Sequence, residues 1–252
     1  MKTIDLNCDI GEGLENDVEL IKIVSSVNIA CGFHAGDPSI IRRTIDAAIE
    51  NRVALGAHPA YADRENFGRK NLKLPEKEVY DLILYQVAAL KGMCEALGGC
   101  LNHVKPHGAL YNQAAQSPEL AAAIAEAVCA VDRGLILYGL SGSCLITEAR
   151  NIGLKPANEV FADRTYQSDG SLTPRSSGDA LITDAQIAVE QVKRMIESGS
   201  VLSTDGHEVP IEAETLCIHG DGPYSVEFAA AISKSLQDSG IEISAIAATQ
   251  KN

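Results

Sequence analysis

Ionisable residues recur in this chain at the ends of apolar runs, each time beside a glycine-rich turn. LNCDIGE brings Asn7, Asp9 and Glu12, NIACGFHAGDP brings Asn28, His34 and Asp37, and GAHP brings His58. Lys105 and His107 stand in HVKPHGALYN, Glu159, Asp163 and Arg164 in NEVFADR, and His219 and Asp221 in CIHGDGP. Four of the six histidines lie in such places. Carboxylates and imidazoles gathered in one cleft provide general acids and bases whose pKa values their surroundings can separate. The same residue types could hold a divalent metal with a position left open for water.

Taken singly, these residues have ordinary roles. Asp37 and Asp221 can cap the helices that follow them. His103, two positions before Lys105, reads as a deeper structural histidine, and His207 as a hairpin side chain. Arg69, Arg164 and Arg175 suit a substrate carboxylate through paired hydrogen bonds, or brace their loops. Together they are harder to dismiss, because burying several unpaired ionisable groups at one place costs several kcal/mol each. A polar site gives them a reason to be there. Its chemistry is not written in a nucleotide or nucleophile motif: GxxxxGK[ST], GxGxxG, HExxH and GxSxG are all absent. The serines of YGLSGSC read as a helix start that caps itself or binds an anion.

The elements that must position these residues follow from periodicity. Apolar, partly β-branched runs at 3–9, 26–32, 53–58, 101–107, 134–140, 157–163 and 214–221 read as strands. Amphipathic stretches lie between them. In one, Val79, Leu82, Ile83, Val87, Leu90, Cys94 and Leu97 recur at helical spacing; in another, Ile41, Ile45, Ala48 and Ile49 do so. Proline at a first helical position marks starts at Asp37-Pro38, Ser117-Pro118 and Gly222-Pro223. Thr183 with Gln186 fits a capping box, and Gly98, Gly153 and Gly240 mark helix ends. Residues 201–211, with Asp205-Gly206 between two short β-like runs, read as a hairpin. Strand–helix alternation implies a parallel sheet covered by helices, open or closed into a barrel, with ligands at the carboxyl ends of its strands.

The chain has 252 residues, 46% of them hydrophobic, and no linker or charge block, so one domain over 1–252 is expected. A formal net charge of -13 argues against nucleic acid or an anionic membrane surface as partner. No apolar run approaches the roughly 18 residues that span a bilayer. The start, MKTIDLNCDIGE, lacks the apolar stretch of a signal peptide, and seven cysteines without a CxxC pair agree with a reducing compartment. A cytoplasmic location is expected.

DLNCDIGE, NIACGFHAGDP, GAHPAYADRENFGRK, HVKPHGALYN, EVFADRTYQSDGSLTPR and IHGDGP, in that order, closely resemble the LamB/YcsF family. Its members are identified with the A component of bacterial ATP-dependent 5-oxoprolinase. Two places depart from the family pattern: LENDVEL is shorter than the usual loop, and Lys70 closes a segment that often reads FGRR. The resemblance implies an irregular seven-stranded β/α barrel, similar to that of the glycoside hydrolase/deacetylase superfamily. It implies cleavage of 5-oxo-L-proline to L-glutamate with ATP as co-substrate, carried out with partner subunits B and C. With no phosphate loop here, those partners are expected to handle the nucleotide chemistry. The residues matching the motifs would serve as follows. Asp9, His58 and His107 would act as acid/base or metal-facing groups, supported by Glu12 and His34, with Asp163 orienting a neighbour. Arg164 and Lys105 would hold the substrate carboxylate, with Asn28, His219 and Asp221 completing the binding set. Two other readings stay open: a free-standing metal-dependent amidohydrolase or deacetylase using Asp9, His58 and His107 as ligands, and a non-catalytic subunit that binds a small acid.

Overall fold

The computed structural model describes residues 2–220 and 225–248. In chain order the strands are β1 (Thr3–Ile10), β2 (Ser26–Ala30), β3 (Ala54–His58), β4 (Leu101–Val104), β5 (Ile136–Leu140) and β6 (Lys155–Phe161). They continue with β7 (Ser200–Leu202), β8 (Glu208–Pro210), β9 (Thr215–His219) and β10 (Glu242–Ile243). The helices are α1 (Asp17–Ile21), α2 (Pro38–Glu50), α3 (Glu76–Ala96) and α4 (Gly108–Gln116), then α5 (Pro118–Val131), α6 (Cys144–Asn151), α7 (Ala185–Ser198) and α8 (Ser225–Asp238). Strands β1 to β6 pair in sequence, all parallel; β9 pairs with both β6 and β1 and closes the sheet into the seven-stranded barrel expected from the sequence. The expected hairpin is antiparallel β7–β8, outside the barrel.

Strand β1 shows why the chain closes this way. Ile4, Leu6, Cys8 and Ile10 alternate with Asp5, Asn7 and Asp9, and all seven are buried. Alternation sends the two sets to opposite faces. The polar set points into the barrel, since Asp5 is bonded to Tyr138 of β5 and Asn7 to Glu159 of β6, strands not adjacent to β1. The apolar set faces outward into the helical layer, where buried Ile41, Ile45, Ile83, Val87 and Ile124 join the same core. Gly56 on β3 has a specific reason to be glycine: a Cβ there would meet Nε2 of His103 at 2.0 Å.

Helix starts follow the capping rules with one correction. Asp37 accepts from Ser39 N and Ile40 N, and Ser117 accepts from Leu120 N, each ahead of a proline. The cap of α7, however, is Asp184, which accepts from Gln186 N and Ile187 N, and not Thr183. A carboxylate one position later bonds two of the first amides, which the hydroxyl of Thr183 does not. Gly98, Gly153 and Gly240 follow their helices with φ of +83°, +76° and +69°. Strand β4 stops at Val104, earlier than periodicity predicts, and β10 is a two-residue addition beside β1 that no pattern announces. Asp221 and the Gly222-Pro223 helix start lie outside the described residues. Among the described residues, no helix is long and apolar enough to cross a membrane.

Candidate active site

Asp9, Glu12, His34, His58, Lys105, His107, Asp163, Arg164 and His219 sit at, or just past, the carboxyl ends of barrel strands. Register places Asp9 of β1 level with Asn28 of β2 on one side and His219 of β9 on the other. Three loops then fold over this end. Arg64, in a single 3-10 turn (Arg64–Asn66), donates to the carbonyls of Gly32 and Gly36 and pins the loop after β3 to the loop after β2 that carries His34. Gln86 of α3 accepts from Ala60 N and donates to Ala60 O, fixing the same segment from outside. Gly108 opens α4 at φ +56°, and a Cβ on it would meet Gly68 O at 2.6 Å, so the loop and α4 approach closely only through glycine.

A column of polar side chains rises through the barrel to this mouth. At its base, Asp5 accepts from Ser25, Ser26, Tyr138 and Thr215. Asn7 donates to Thr215 Oγ1 and Glu159 Oε1. Asn28 donates to Asn7 Oδ1 and to Asp9 Oδ1, both at 2.8 Å, and its own Oδ1 accepts from His103 Nε2 at 2.9 Å. Lys105 reaches Asp9 Oδ1 at 2.9 Å, Glu159 Oε1 at 2.9 Å and Cys217 Sγ at 3.0 Å. Burial would push the Asp9 carboxyl up, but His58 and Lys105 outweigh it and hold the group well below its usual range. Burial, then the Lys105 charge, pushes His103 down to about 3, so it is a neutral structural histidine.

At the mouth the histidines meet. His58 Nε2 lies 3.2 Å from Asp9 Oδ2 and 2.9 Å from His107 Nδ1. His34 stacks on His107, ring centroids 3.9 Å apart, and its Nε2 is 3.1 Å from Glu12 Oε1. Burial, reinforced by the charge of His58, pushes His34 down to about 2 and His107 well below 6.5. On the opposite wall, His219 Nδ1 lies 2.8 Å from Asp163 Oδ2, and its ring stacks on Phe161. Burial raises the Asp163 carboxyl, yet the pairing with His219, helped by Arg164 and Arg175, keeps it below its ordinary 3.8.

The residues singled out in the sequence therefore divide. Asp9, Glu12, His34, His58 and His107 come together, with Asn28 beneath them and Asp163–His219 across the mouth. Lys105 is brought in but differently from expectation: its three N–H bonds are taken up by Asp9, Glu159 and Cys217, leaving none for a substrate carboxylate. Arg164 likewise braces the loop after β6, donating from Nε to Ala180 O and from Nη2 to Thr173 O. Burial pushes its guanidinium down to about 10. Tyr111 was not singled out. Its hydroxyl is buried beside Glu159, and burial, with the Glu159 charge, pushes its pKa well above 10. Nothing in the helical pattern of α4 marks it.

These groups line a cavity of about 760 Å³, within the size range of small-molecule sites. Asp9, His58, Lys105, His107, Tyr111 and His219 line it, together with Arg69, Lys70, Arg164 and Arg175. The scaffold that holds them is a closed, parallel, seven-stranded β/α barrel. A family 4 carbohydrate esterase from Streptomyces lividans shows that fold, with a TM-score of 0.51 at 11% identity over 100% of this chain and 98% of its own.

The chain belongs to the LamB/YcsF family, which it matches over residues 4–251. It is 53% identical over 253 residues to the 5-oxoprolinase A component of Bacillus subtilis, covering 98% of each chain. The crystal structure of a lactam utilization protein from Thermus thermophilus superposes with a TM-score of 0.91 at 43% identity, over 98% of this chain and all of that one.

Proposed function

We propose that this chain is the A component of an ATP-dependent 5-oxoprolinase and opens the lactam of 5-oxo-L-proline to L-glutamate with partner subunits B and C. Full-length relatives of that name, 51–53% identical, support the reading. The observation in the molecule that carries it is the ionised Asp9, paired with His58, at the base of a cavity rimmed by four cationic side chains. A lactam is a resonance-stabilised amide and a poor electrophile. ATP-dependent phosphorylation of its oxygen creates a leaving group, and the partners are assigned the nucleotide.

In this reading Asp9 directs a water at the activated ring carbon and takes up its proton as the C–O bond forms. The ring C–N bond then breaks, His219, held by Asp163, returns a proton to the departing nitrogen, and the resulting acyl phosphate is cleaved by a second water to glutamate and inorganic phosphate. Arg175 and the Tyr111 hydroxyl bind the substrate carboxylate or the anionic intermediate, while Lys105 holds Asp9 in place and Arg164 braces the loop after β6. The test follows glutamate formation from 5-oxoproline by the purified chain, with and without its partner subunits and ATP. Turnover that needs both supports the proposal. Turnover by the isolated chain without ATP favours the free-standing amidohydrolase, and full activity of the partners alone makes the chain a binding component.

A further inference from the structure

Two histidines of the mouth are each locked in one tautomer by a backbone carbonyl. A carbonyl oxygen only accepts, so His58 carries its proton on Nδ1, 2.8 Å from Lys105 O, and His107 carries its proton on Nε2, 2.9 Å from Phe67 O. The remaining nitrogens, His58 Nε2 and His107 Nδ1, then both present lone pairs, and they face each other at 2.9 Å. Carboxylate oxygens stand close to them: Asp9 Oδ2 is 3.2 Å from His58 Nε2, and Glu12 Oε1 is 3.8 Å from His107 Nδ1. Lone pairs and anions directed at one place repel unless a positive charge lies among them. His34 adds a buried ring whose Nε2 is 3.1 Å from Glu12 Oε1 and whose Nδ1 makes no hydrogen bond.

We propose that Glu12, His34, His58 and His107 form a binding site for one divalent first-row transition-metal ion. One donor atom from each lies within 4.8 Å of all the others. Ligand atoms around a tetrahedral ion with bonds of about 2.0–2.1 Å are separated by roughly 3.3 Å. The contacts of 2.9, 3.1 and 3.8 Å bracket that separation. Three imidazoles with one carboxylate suit zinc, cobalt or iron, whereas magnesium and calcium take oxygen ligands. The carbonyls of Lys105 and Phe67 supply the outer hydrogen bonds that orient ligating histidines. Asp9 stays outside the set because Lys105 and Asn28 hold its Oδ1 in the polar column. The set therefore revises the Asp9, His58 and His107 trio expected from sequence. A single proton on His58 Nε2 is the competing occupant, and it too answers the facing lone pairs. The inference stands whatever reaction the cavity serves.

The full chain, stripped with a chelator and dialysed, is titrated with Co²⁺ and Zn²⁺ while visible absorption and heat are recorded. One ion per chain is expected, with cobalt d–d bands that zinc abolishes and magnesium leaves unchanged. Glu12→Gln and His34→Gln, checked for folding by thermal melts, each lower affinity by more than about 100-fold, while Asp9→Asn stays within about 10-fold of wild type. Absence of stoichiometric Co²⁺ and Zn²⁺ binding overturns the proposal and leaves the shared proton as occupant. Unchanged affinity in both Glu12→Gln and His34→Gln, or a loss in Asp9→Asn as large as theirs, also overturns it. So does loss of the ion in His207→Gln, which would move it to the exposed His207–Asp205 pair.

Discussion

Asp5 and Asp9 stand on one strand and one face, four residues apart, and both are buried. Their surroundings differ in a single respect. Asp5 is met by the hydroxyls of Ser25, Ser26, Tyr138 and Thr215, and burial pushes its carboxyl above 3.8. Asp9 is also buried, though it lines the cavity, yet His58 and Lys105 hold it well below that value. Hydroxyls solvate a carboxylate without neutralising it; the Lys105 ammonium does both. The lower end of the barrel thus carries architecture, and the mouth carries a charge fit for chemistry.

Lys105 makes the two ends differ, so its removal tests the contrast hardest. Lys105→Met leaves Asp9 and Glu159 buried against an apolar chain, and urea denaturation should register a loss of about 3–5 kcal/mol. A loss under about 1 kcal/mol would mean that the ammonium is not holding the column. At the opposite wall, Asp163→Asn removes the partner of His219; turnover of the assembly should fall by about 100-fold with an altered pH profile and an unchanged melting curve. Below the mouth, Thr215→Val strips one donor from Asp5 and one acceptor from Asn7, for an expected cost of about 1–3 kcal/mol.

The smallest effect is a slope. A carboxyl whose pKa is raised on folding binds its proton more tightly in the native state, so its contribution to stability is lost as pH climbs above the unfolded value of about 3.9. Asparagine at position 5 lacks that loss. The stability of wild type relative to Asp5→Asn should therefore decline between acid and neutral pH, measured by denaturation at several pH values. A difference that stays constant would show that folding leaves the Asp5 pKa unshifted.

Much of this arrangement was legible in the sequence because it rests on local pattern. Alternation in TIDLNCDI announces a strand with one polar face, and Asp37-Pro38 announces a helix. Histidines beside glycines announce strand-end loops. What was not legible depends on closure. Glu159 is bonded to Lys105 only because β6 lies across the lumen, and Tyr111 reaches the cavity only because α4 packs its ring against Phe161 of β6. The two carbonyls that lock His58 and His107 are backbone atoms, which no residue type reveals. Lys105 shows the reverse error: a lysine at a strand end reads as a substrate anchor until its three partners are seen.

The most direct measurement compares Asp9→Asn with Asp5→Asn in the reconstituted assembly, following glutamate released from 5-oxoproline with ATP. Asp9→Asn should lose essentially all turnover while binding its partner subunits normally, and Asp5→Asn should keep most of it. Near-normal turnover in Asp9→Asn, or an equal loss in both variants, would contradict the assignment of chemistry to the mouth of the barrel.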